Sequence, residues 1–351
     1  KLIDFAKILV GRIPGGLAHT NILGNTLFGS LSGSSVAASV AIGGVLIPME
    51  EKEGYDKKFA AAVNIASAPT GLIIPPSGIL IIYPVLAGCS VVGMIMSGYI
   101  PGLMWALACM VVAYVIAKKN HYPTAGKVPA SVFFKYFVDA IPSLLLIVII
   151  VGGVMSGIFT ATESAAVAVA YTLFLSIVVY RSIKIKDLPK ILLDACETTA
   201  VIMFLIAGSN VMSFVMSFTG LPSAIGNALI SVSSNKYVIL LIINLVLLVV
   251  GCFMDITPAV LIFTPIFLPV VQSFGMDPIH FGIMMVMNLG IGNITPPVGS
   301  ALFSGCSVAD MDMEDMIKPI LPFYAAIFVA LMLVAYVPWF SMALPTLFGA
   351  V

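Results

Sequence analysis

Charged residues are scarce in this chain of 351 residues. Asp, Glu, Lys and Arg together make up 9% of it, whereas hydrophobic residues make up 60%. A typical soluble domain is about one-quarter charged and about half apolar. Long stretches such as 236–250 and 319–337 carry almost no charge. The composition therefore indicates a polytopic, all-helical membrane protein.

Further absences narrow the chemistry. The five cysteines have no CxxC spacing and the three histidines form no cluster, so we predict neither disulfides nor a metal centre built from these side chains. The sequence has no basic patch with interleaved aromatic residues, which is the pattern that would indicate nucleic-acid binding. Asp255 is the only acidic residue placed deep in an apolar segment, whereas aspartyl protease chemistry needs two carboxylates in one site. We expect neither an enzyme nor a cofactor, and an intramembrane protease is a remote alternative.

One motif occurs twice. The stretch 69–78 reads PTGLIIPPSG, and the stretch 290–299 reads GIGNITPPVG. The Pro-Pro-x-Gly pattern recurs 221 positions later, and the same offset relates Pro48 to Pro269. Each copy interrupts an apolar segment with prolines and glycines. Duplicated, interrupted membrane helices are the best indication in a sequence of the binding site of a secondary transporter.

The hydrophobic pattern divides the chain into five regions. These are an interfacial arm helix at 1–15, a first transport repeat at 16–117, a cytoplasmic loop with an arm helix at 118–139, scaffold helices at 140–217, and a second transport repeat at 218–345. The elements within the repeats are re-entrant hairpins at 16–50 and 236–271, interrupted helices at 59–88 and 279–303, and continuous helices at 91–117 and 319–345. Both hairpins break at Gly-rich or Pro-containing tips.

The basic residues set the orientation. If the loop 49–58 is cytoplasmic, every Lys and Arg except Lys236 falls on the cytoplasmic side, as the positive-inside rule requires. The two hairpins then open to opposite faces, so the repeats are inverted. The counterpart of 140–217 would precede the first residue, which predicts about 75–80 further residues upstream.

Broken helices supply the predicted binding groups. Lipid offers no hydrogen-bond partners, so a break at mid-depth is tolerated only inside protein or beside water. Freed carbonyls suit a hard cation, and helix N-termini suit a carboxylate. No carboxylate cluster suits a divalent ion, which favours sodium. The candidates in the first repeat are Gly29, Ser32, Ser34, Ser35, Gly71, Ile74, Pro76 and Ser77, and those in the second are Gly251, Asp255, Thr257, Gly292, Asn293, Thr295 and Val298.

Structural alternatives remain open for several of these residues. Small residues in membrane helices often serve only close packing. Asp255 is equally compatible with a cap at the start of the following helix, and the pattern Thr160-x-x-Glu163 predicts a capping box.

The paired motifs resemble the large membrane subunit of tripartite ATP-independent periplasmic (TRAP) transporters. The resemblance rests on GSLSGSS at 29–35, GYDKK at 54–58, IPPS at 74–77 and NITPPVG at 293–299, and it runs along nearly the whole chain. It implies an elevator-type carrier of the ion-transporter superfamily in a bacterial inner membrane. It also implies two partners, a small four-helix membrane subunit and a periplasmic substrate-binding protein.

By this resemblance, sodium and an organic acid bind at the breaks. The first sodium site would use Gly29, Ser32, Gly71, Ile74 and Pro76, the second Gly251, Gly292, Thr295 and Val298, and the substrate Ser34, Ser35, Ser77, Asp255, Thr257 and Asn293. Family substrates are carboxylates. The breaks hold no Arg or Lys and the first tip is rich in Ser, which favours sialic acid. The alternatives are a C4-dicarboxylate permease, a stand-alone sodium–dicarboxylate symporter and a channel.

Overall fold

In the computed structural model, residues 2–124, 130–233 and 235–350 are described, and their regular structure is helical. Seven helices in these ranges are long and apolar enough to cross a membrane. This architecture agrees with the predicted fold class. The predicted loop and arm region at 118–139 lies partly outside the described residues.

The first repeat contains a hairpin and an interrupted helix, as predicted. Its helices, preceded by the arm helix α1, are α1 Leu2–Val10, α2 Gly16–Ser32, α3 Ser35–Lys52, α4 Lys57–Ser67, α5 Thr70–Ile73, α6 Ile79–Ala87, α7 Val91–Ser97 and α8 Tyr99–Lys119. Only Gly33 and Ser34 separate α2 from α3, and the two helices pack together. The predicted continuous helix at 91–117 is interrupted at Gly98. Pro101 lacks the amide that would bond to the carbonyl four residues earlier.

The second repeat follows the same plan. Its helices are α14 Lys236–Phe253, α15 Ile256–Ser273, α16 Pro278–Asn293, α17 Ser300–Val308, α18 Met313–Tyr336 and α19 Trp339–Leu347. The prediction of one helix over 319–345 is wrong, because α18 ends at Tyr336 and α19 begins at Trp339. Val337 is extended (φ −118°, ψ 95°), as expected for a residue that precedes proline.

The middle section differs from its predicted boundaries. Its helices are α9 Ala130–Ile147, α10 Gly153–Met155, α11 Ala161–Phe174, α12 Leu188–Thr219 and α13 Leu221–Val232. The arm at 130–139 and the start of the next span form one helix, α9, with no glycine to end it. Helix α13 was not predicted. The Thr160–Glu163 capping box is present, with the Thr160 amide donating to the Glu163 carboxylate at 2.8 Å.

The same local chemistry starts both interrupted helices. Gly54 and Gly275 take positive φ values of 88° and 82°, a conformation that glycine adopts without steric cost. Two residues later, Asp56 and Asp277 accept hydrogen bonds from backbone amides at the starts of α4 and α16, at 2.9 and 2.8 Å. These are N-caps, which stabilise a helix by about 1 kcal/mol.

The repeats interlock around a shared core. Helices α4 and α16 lie at its centre, and every residue from 279 to 293 is buried. The second arm of each hairpin packs on the other repeat, with α3 against α17 and α15 against α6. The middle section is far more open. In an apolar stretch of 18 residues within the candidate span 185–216, 11% of the residues are buried, whereas 50% are buried in the span 256–273.

The contact between Tyr83 and Gly282 tests this interlocking. A Cβ on Gly282 would lie 2.3 Å from the Tyr83 ring, whose hydroxyl donates to the Pro278 carbonyl at 2.6 Å. Gly282→Ala should therefore destabilise the protein by about 1–3 kcal/mol through overpacking. The control is Gly208→Ala on the exposed side of α12, where the added carbon meets nothing within 4 Å. Thermal melting of both variants in detergent measures the difference, and equal melting temperatures would contradict the interlocked core.

Candidate substrate and cation site

Paired glycines hold each hairpin against its interrupted helix. A Cβ on Gly71 would lie 2.2 Å from the Cα of Gly29, and a Cβ on Gly292 would lie 2.5 Å from the Cα of Gly251. No side chain fits at these separations. The contact therefore occurs twice, once in each repeat, and it joins four of the residues predicted for the two cation sites.

Carbonyl-rich helix ends meet at these glycine contacts. In the first repeat, α2 ends at Ser32 and α5 ends at Ile73, after which Ile74 is extended (φ −81°, ψ 125°). In the second repeat, α14 ends at Phe253 and α16 ends at Asn293. The last carbonyls of a helix lack intrahelical partners and carry partial negative charge. These ends therefore present oxygen atoms suited to a cation.

The tip of the first hairpin is held by short polar contacts. The Gly29 carbonyl accepts from the Gly33 amide at 2.7 Å and from the Ser32 hydroxyl at 3.4 Å. The Ser34 hydroxyl accepts from the Ala37 amide at 3.2 Å and so caps α3. The buried hydroxyl of Ser77, in the facing interrupted helix, has no hydrogen-bond partner among the described residues. Ser77 is nevertheless 1% exposed and is not among the residues that line the cavity between the hairpin tips.

The second break is tied to its hairpin through the backbone. The Cys252 carbonyl accepts from the amides of Val298 and Gly299 at 3.3 and 3.2 Å. The Thr295 hydroxyl donates to the Ile291 carbonyl at 2.7 Å. A Cβ on Gly299, whose φ is 44°, would lie 2.8 Å from the Thr295 carbonyl oxygen. Glycine is thus needed there for the chain to fold back on its own carbonyls.

A chain of hydrogen bonds connects the two hairpin tips. The Asn293 side-chain amide donates to the Ser35 hydroxyl at 2.7 Å. The Ser300 hydroxyl donates to the Asn293 side-chain carbonyl, and its contact with the Asp255 carboxylate measures 3.3 Å. Asp255 is exposed and makes no side-chain cap to α15, although it occupies the capping position. Its carboxylate therefore faces the site rather than its own helix.

A cavity of about 250 Å³ lies between the hairpin tips. Four of the six predicted substrate residues line it: Ser34, Ser35, Asp255 and Thr257. Ser77 and Asn293 are not among the lining residues, although Asn293 is hydrogen-bonded to Ser35, which lines the cavity. Gly78 and Ile82 contribute from the first interrupted helix, and Ile202 contributes from α12. The predicted substrate residues are thus gathered from both repeats.

Three helices begin at this cavity. They are α3 at Ser35, α6 at Ile79 and α15 at Ile256, and all three first residues line it. The N-terminus of each helix carries partial positive charge and free backbone amides. These helix starts therefore favour an anion, whereas the Asp255 carboxylate in the same lining opposes one.

Sequence reasoning missed three residues of this site. Ser300 joins Asp255 to Asn293, the Cys252 carbonyl holds the second break, and the Tyr324 hydroxyl donates to the Ile294 carbonyl. Ser300 directly follows the repeated Pro-Pro-x-Gly motif and begins α17, which was a usable signal. The other two contacts involve a backbone atom or a distant helix, and no pattern in the sequence marks them.

Comparison with known proteins identifies the family. The family model described as "Tripartite ATP-independent periplasmic transporter, DctM component" matches residues 1–340. The chain belongs to this family. It is thus the large membrane subunit of a TRAP transporter, a multi-pass inner-membrane protein and not an enzyme, as the paired motifs predicted.

Three relatives indicate how far the similarity reaches. The chain is 51% identical to the uncharacterized protein YgiK of Salmonella typhimurium, covering 99% of this chain and 80% of that protein. It is 38% identical to the C4-dicarboxylate TRAP transporter large permease protein DctM of Pseudomonas aeruginosa, covering 99% and 82%. It is also 38% identical to the sialic acid TRAP transporter large permease protein SiaM of Vibrio cholerae, again covering 99% and 82%.

Substitution of Gly71 tests the close approach at the breaks. Gly71→Ala should destabilise the TRAP subunit by about 1–3 kcal/mol, because the new carbon overlaps backbone atoms of Gly29 that cannot rotate away. Gly44→Ala, on an exposed side of α3, places its carbon 3.8 Å from the nearest atom and should change stability by less than about 0.5 kcal/mol. Thermal melting measures both. A Gly71→Ala variant as stable as the Gly44→Ala control would contradict the backbone contact.

Proposed function

We propose that this subunit carries a small hydroxylated organic acid into the cell together with sodium, and that sialic acid is its substrate. The observation that supports this most directly is the meeting of three helix N-termini at one cavity between the hairpin tips. Each of the two repeats that line the cavity also has a glycine contact beside carbonyl-rich helix ends. This arrangement suits one anion flanked by two cations.

Helix N-termini and hydroxyls would hold the carboxylate of the substrate. No Lys or Arg is among the described residues that line the cavity. Backbone amides at the starts of α3, α6 and α15, with the Ser35 hydroxyl, are the groups available to a carboxylate.

Asp255 argues for a hydroxylated substrate. Its carboxylate is the only formal charge among the described lining residues of the cavity. It would accept a hydrogen bond from a substrate hydroxyl and would repel a second carboxylate. This favours a polyhydroxylated monocarboxylate over a dicarboxylate.

Sodium would bind where the helix ends meet. The first site would use Gly29, Ser32, Gly71, Ile74 and Pro76, and the second would use Gly251, Gly292, Thr295 and Val298. The oxygens that these residues offer are carbonyls and hydroxyls, which suit a monovalent ion better than a divalent one. Binding of sodium would offset the partial negative charge of the paired helix ends and stabilise the closed hairpins.

The repeats are much more buried than the middle section, which suggests how the subunit moves. The interlocked repeats would move as one body against the loosely packed middle section, which is the elevator mechanism. The exposed apolar side chains of α11 and α12, including Val169 and Phe204, would face lipid or the small membrane subunit. A periplasmic binding protein would deliver the acid to the outer face.

A C4-dicarboxylate is the second candidate substrate. The relative named as a C4-dicarboxylate permease is as similar to this chain as the sialic acid relative, at 38% identity each. Overall similarity does not separate the two substrates.

Uptake into proteoliposomes tests the substrate. We expect an inward sodium gradient to drive uptake of labelled sialic acid when the small subunit and a sialic acid binding protein are present, and expect no succinate uptake with a dicarboxylate binding protein. Asp255→Asn should reduce sialic acid uptake at least several-fold, whereas Asp194→Asn, on an exposed face of α12, should not. Succinate uptake without sialic acid uptake would favour the dicarboxylate. Uptake without a binding protein would indicate a stand-alone symporter, and flux faster than carrier turnover would indicate a channel.

Two hydroxyl substitutions test the sodium sites. Thr295→Ala and Ser32→Ala should each raise the sodium concentration for half-maximal uptake several-fold, because each removes an oxygen from a site. Thr198→Ala is a matched control for Thr295→Ala. Thr198 also donates to the carbonyl four residues earlier, at 2.9 Å compared with 2.7 Å, but lies on exposed α12. Unchanged sodium dependence in both site variants would rule out these assignments.

A further inference from the structure

A buried polar ladder runs through the first repeat, away from the cavity. It is a set of side chains on α2, α3, α4 and α5, each at most 7% exposed: Asn21, Asn25, Thr26, Ser39, Glu50, Asn64, Ser67 and Thr70. The Asn25 amide donates to Asn21 at 3.0 Å and to the Ser67 hydroxyl at 2.9 Å. The ladder ends at Thr70, which precedes the Gly71 contact. It thus extends from the predicted cytoplasmic end of α3 to the first break.

Glu50 is the most unusual member of this ladder. Its side chain is fully buried, and it is the only buried acidic residue among those that the structure describes. One carboxyl oxygen accepts a single long hydrogen bond, 3.4 Å from the Asn21 amide. The other has no hydrogen-bond partner among the described residues. Glu50 lies within the predicted hairpin at 16–50, and α3 continues two residues beyond that boundary, to Lys52.

The second repeat shows that the fold does not require this carboxyl. The offset of 221 that relates the repeats places the apolar residue Val271 opposite Glu50, and Val271 is also fully buried. The same offset replaces Ser39 with Val260 and Asn64 with Met285, both fully buried. The equivalent hairpin position is thus filled by apolar packing alone. The packing that the two repeats share therefore does not require the carboxyl group of Glu50.

Neighbouring charges do not neutralise Glu50. Glu53, which directly follows α3, repels a negative charge on Glu50, and its own partner is Lys7 of α1 at 3.6 Å. From α4, Lys57 pairs with Glu51 at 3.9 Å and Lys58 pairs with Asp315 at 2.6 Å. The other groups that titrate on the packed elements are His19 of α2, Cys306 of α17, and Tyr55 in the loop after α3.

A bare carboxylate is not stable in such surroundings. Burying an unpaired charge costs several kcal/mol, and a buried carboxyl avoids that cost by taking up a proton. A protonated carboxyl also becomes a hydrogen-bond donor that a carboxylate is not. The side chain lies one helical turn from the exposed residues Lys52 and Glu53, so a small opening of the hairpin end would bring it to water.

We infer that Glu50 is a proton-binding site that is occupied while the first hairpin is closed and the side chain is buried. The proton comes from bulk water and bonds to one carboxyl oxygen, which leaves a neutral acid in the ladder. The inference concerns the closed subunit alone and does not depend on the transported substrate or on sodium.

Infrared spectroscopy of the purified subunit in liposomes tests the inference without measuring transport. We expect the carbonyl stretching band of a protonated carboxylic acid at neutral pH in the wild type. The band should disappear in Glu50→Gln, which keeps the shape of the neutral acid. It should persist in Glu53→Gln, the matched control at the exposed residue that directly follows α3. Absence of the band in the wild type, or its persistence in Glu50→Gln, would overturn the inference.

A second measurement uses the pH dependence of stability. Above the pH at which the unfolded chain loses the Glu50 proton, the folded protein holds one more proton than the unfolded chain, so stability should fall as pH rises. The unfolding equilibrium constant should rise up to about tenfold per pH unit until the folded protein also releases the proton. Glu50→Val, which copies the second repeat, should lose this pH dependence. It serves as the test variant if Glu50→Gln does not fold. A sodium-dependent gain in stability that needs Glu50, with no acid band, would instead assign a cation to this position.

Discussion

The approach of glycine to glycine at each break is the contact on which the rest of this structure depends. Inside a membrane, an interrupted helix leaves carbonyls and amides that lipid cannot satisfy. Here the hairpin tip supplies partners, as when the Cys252 carbonyl accepts two amides from the second interrupted helix. This hydrogen bonding requires the two backbones to lie closer together than any side chain allows. The same close approach of the glycines places the carbonyl ends and the starts of the helices around the site.

Repetition made most of this frame predictable. Matching Pro-Pro-x-Gly motifs located both interruptions, and the structure adds a repeated Gly-x-Asp turn that caps both helix starts. Four of the residues predicted at the breaks form the glycine contacts and four line the cavity, because a broken helix leaves few other places for polar groups. Helix ends that depend on a single proline were harder to predict from the sequence. The break between α18 and α19 was not predicted, although Pro338 marks it.

Contacts between distant residues were not predictable. The bond from Asn293 to Ser35 joins residues that lie 258 positions apart. Its partners are known only once both repeats are packed. Glu50 illustrates the same difficulty. In the sequence it begins the charged run EEKE, which is typical of a solvated loop, and only the packing of α2 on α3 shows that it is buried.

The two repeats share a frame but differ in what fills it. The glycine contacts, turns and caps occur in both, whereas the polar ladder lies in the first repeat. Its counterpart positions are apolar, among them Val260, Val271 and Met285, except that Ser67 corresponds to Asn288. Positions that the two repeats have in common maintain the geometry of the site. Positions at which the repeats differ can give each repeat its own chemistry.

The exchanged packing of the hairpins also affects biosynthesis. Helix α3 packs against α17, which the ribosome makes some 250 residues later. Until then, the side of α3 that carries Gly44 lacks its neighbour Val308 of α17. The first hairpin must therefore wait in the bilayer, or beside the insertion machinery, until translation is nearly complete, so that the nascent chain is most vulnerable to quality-control proteases during this interval.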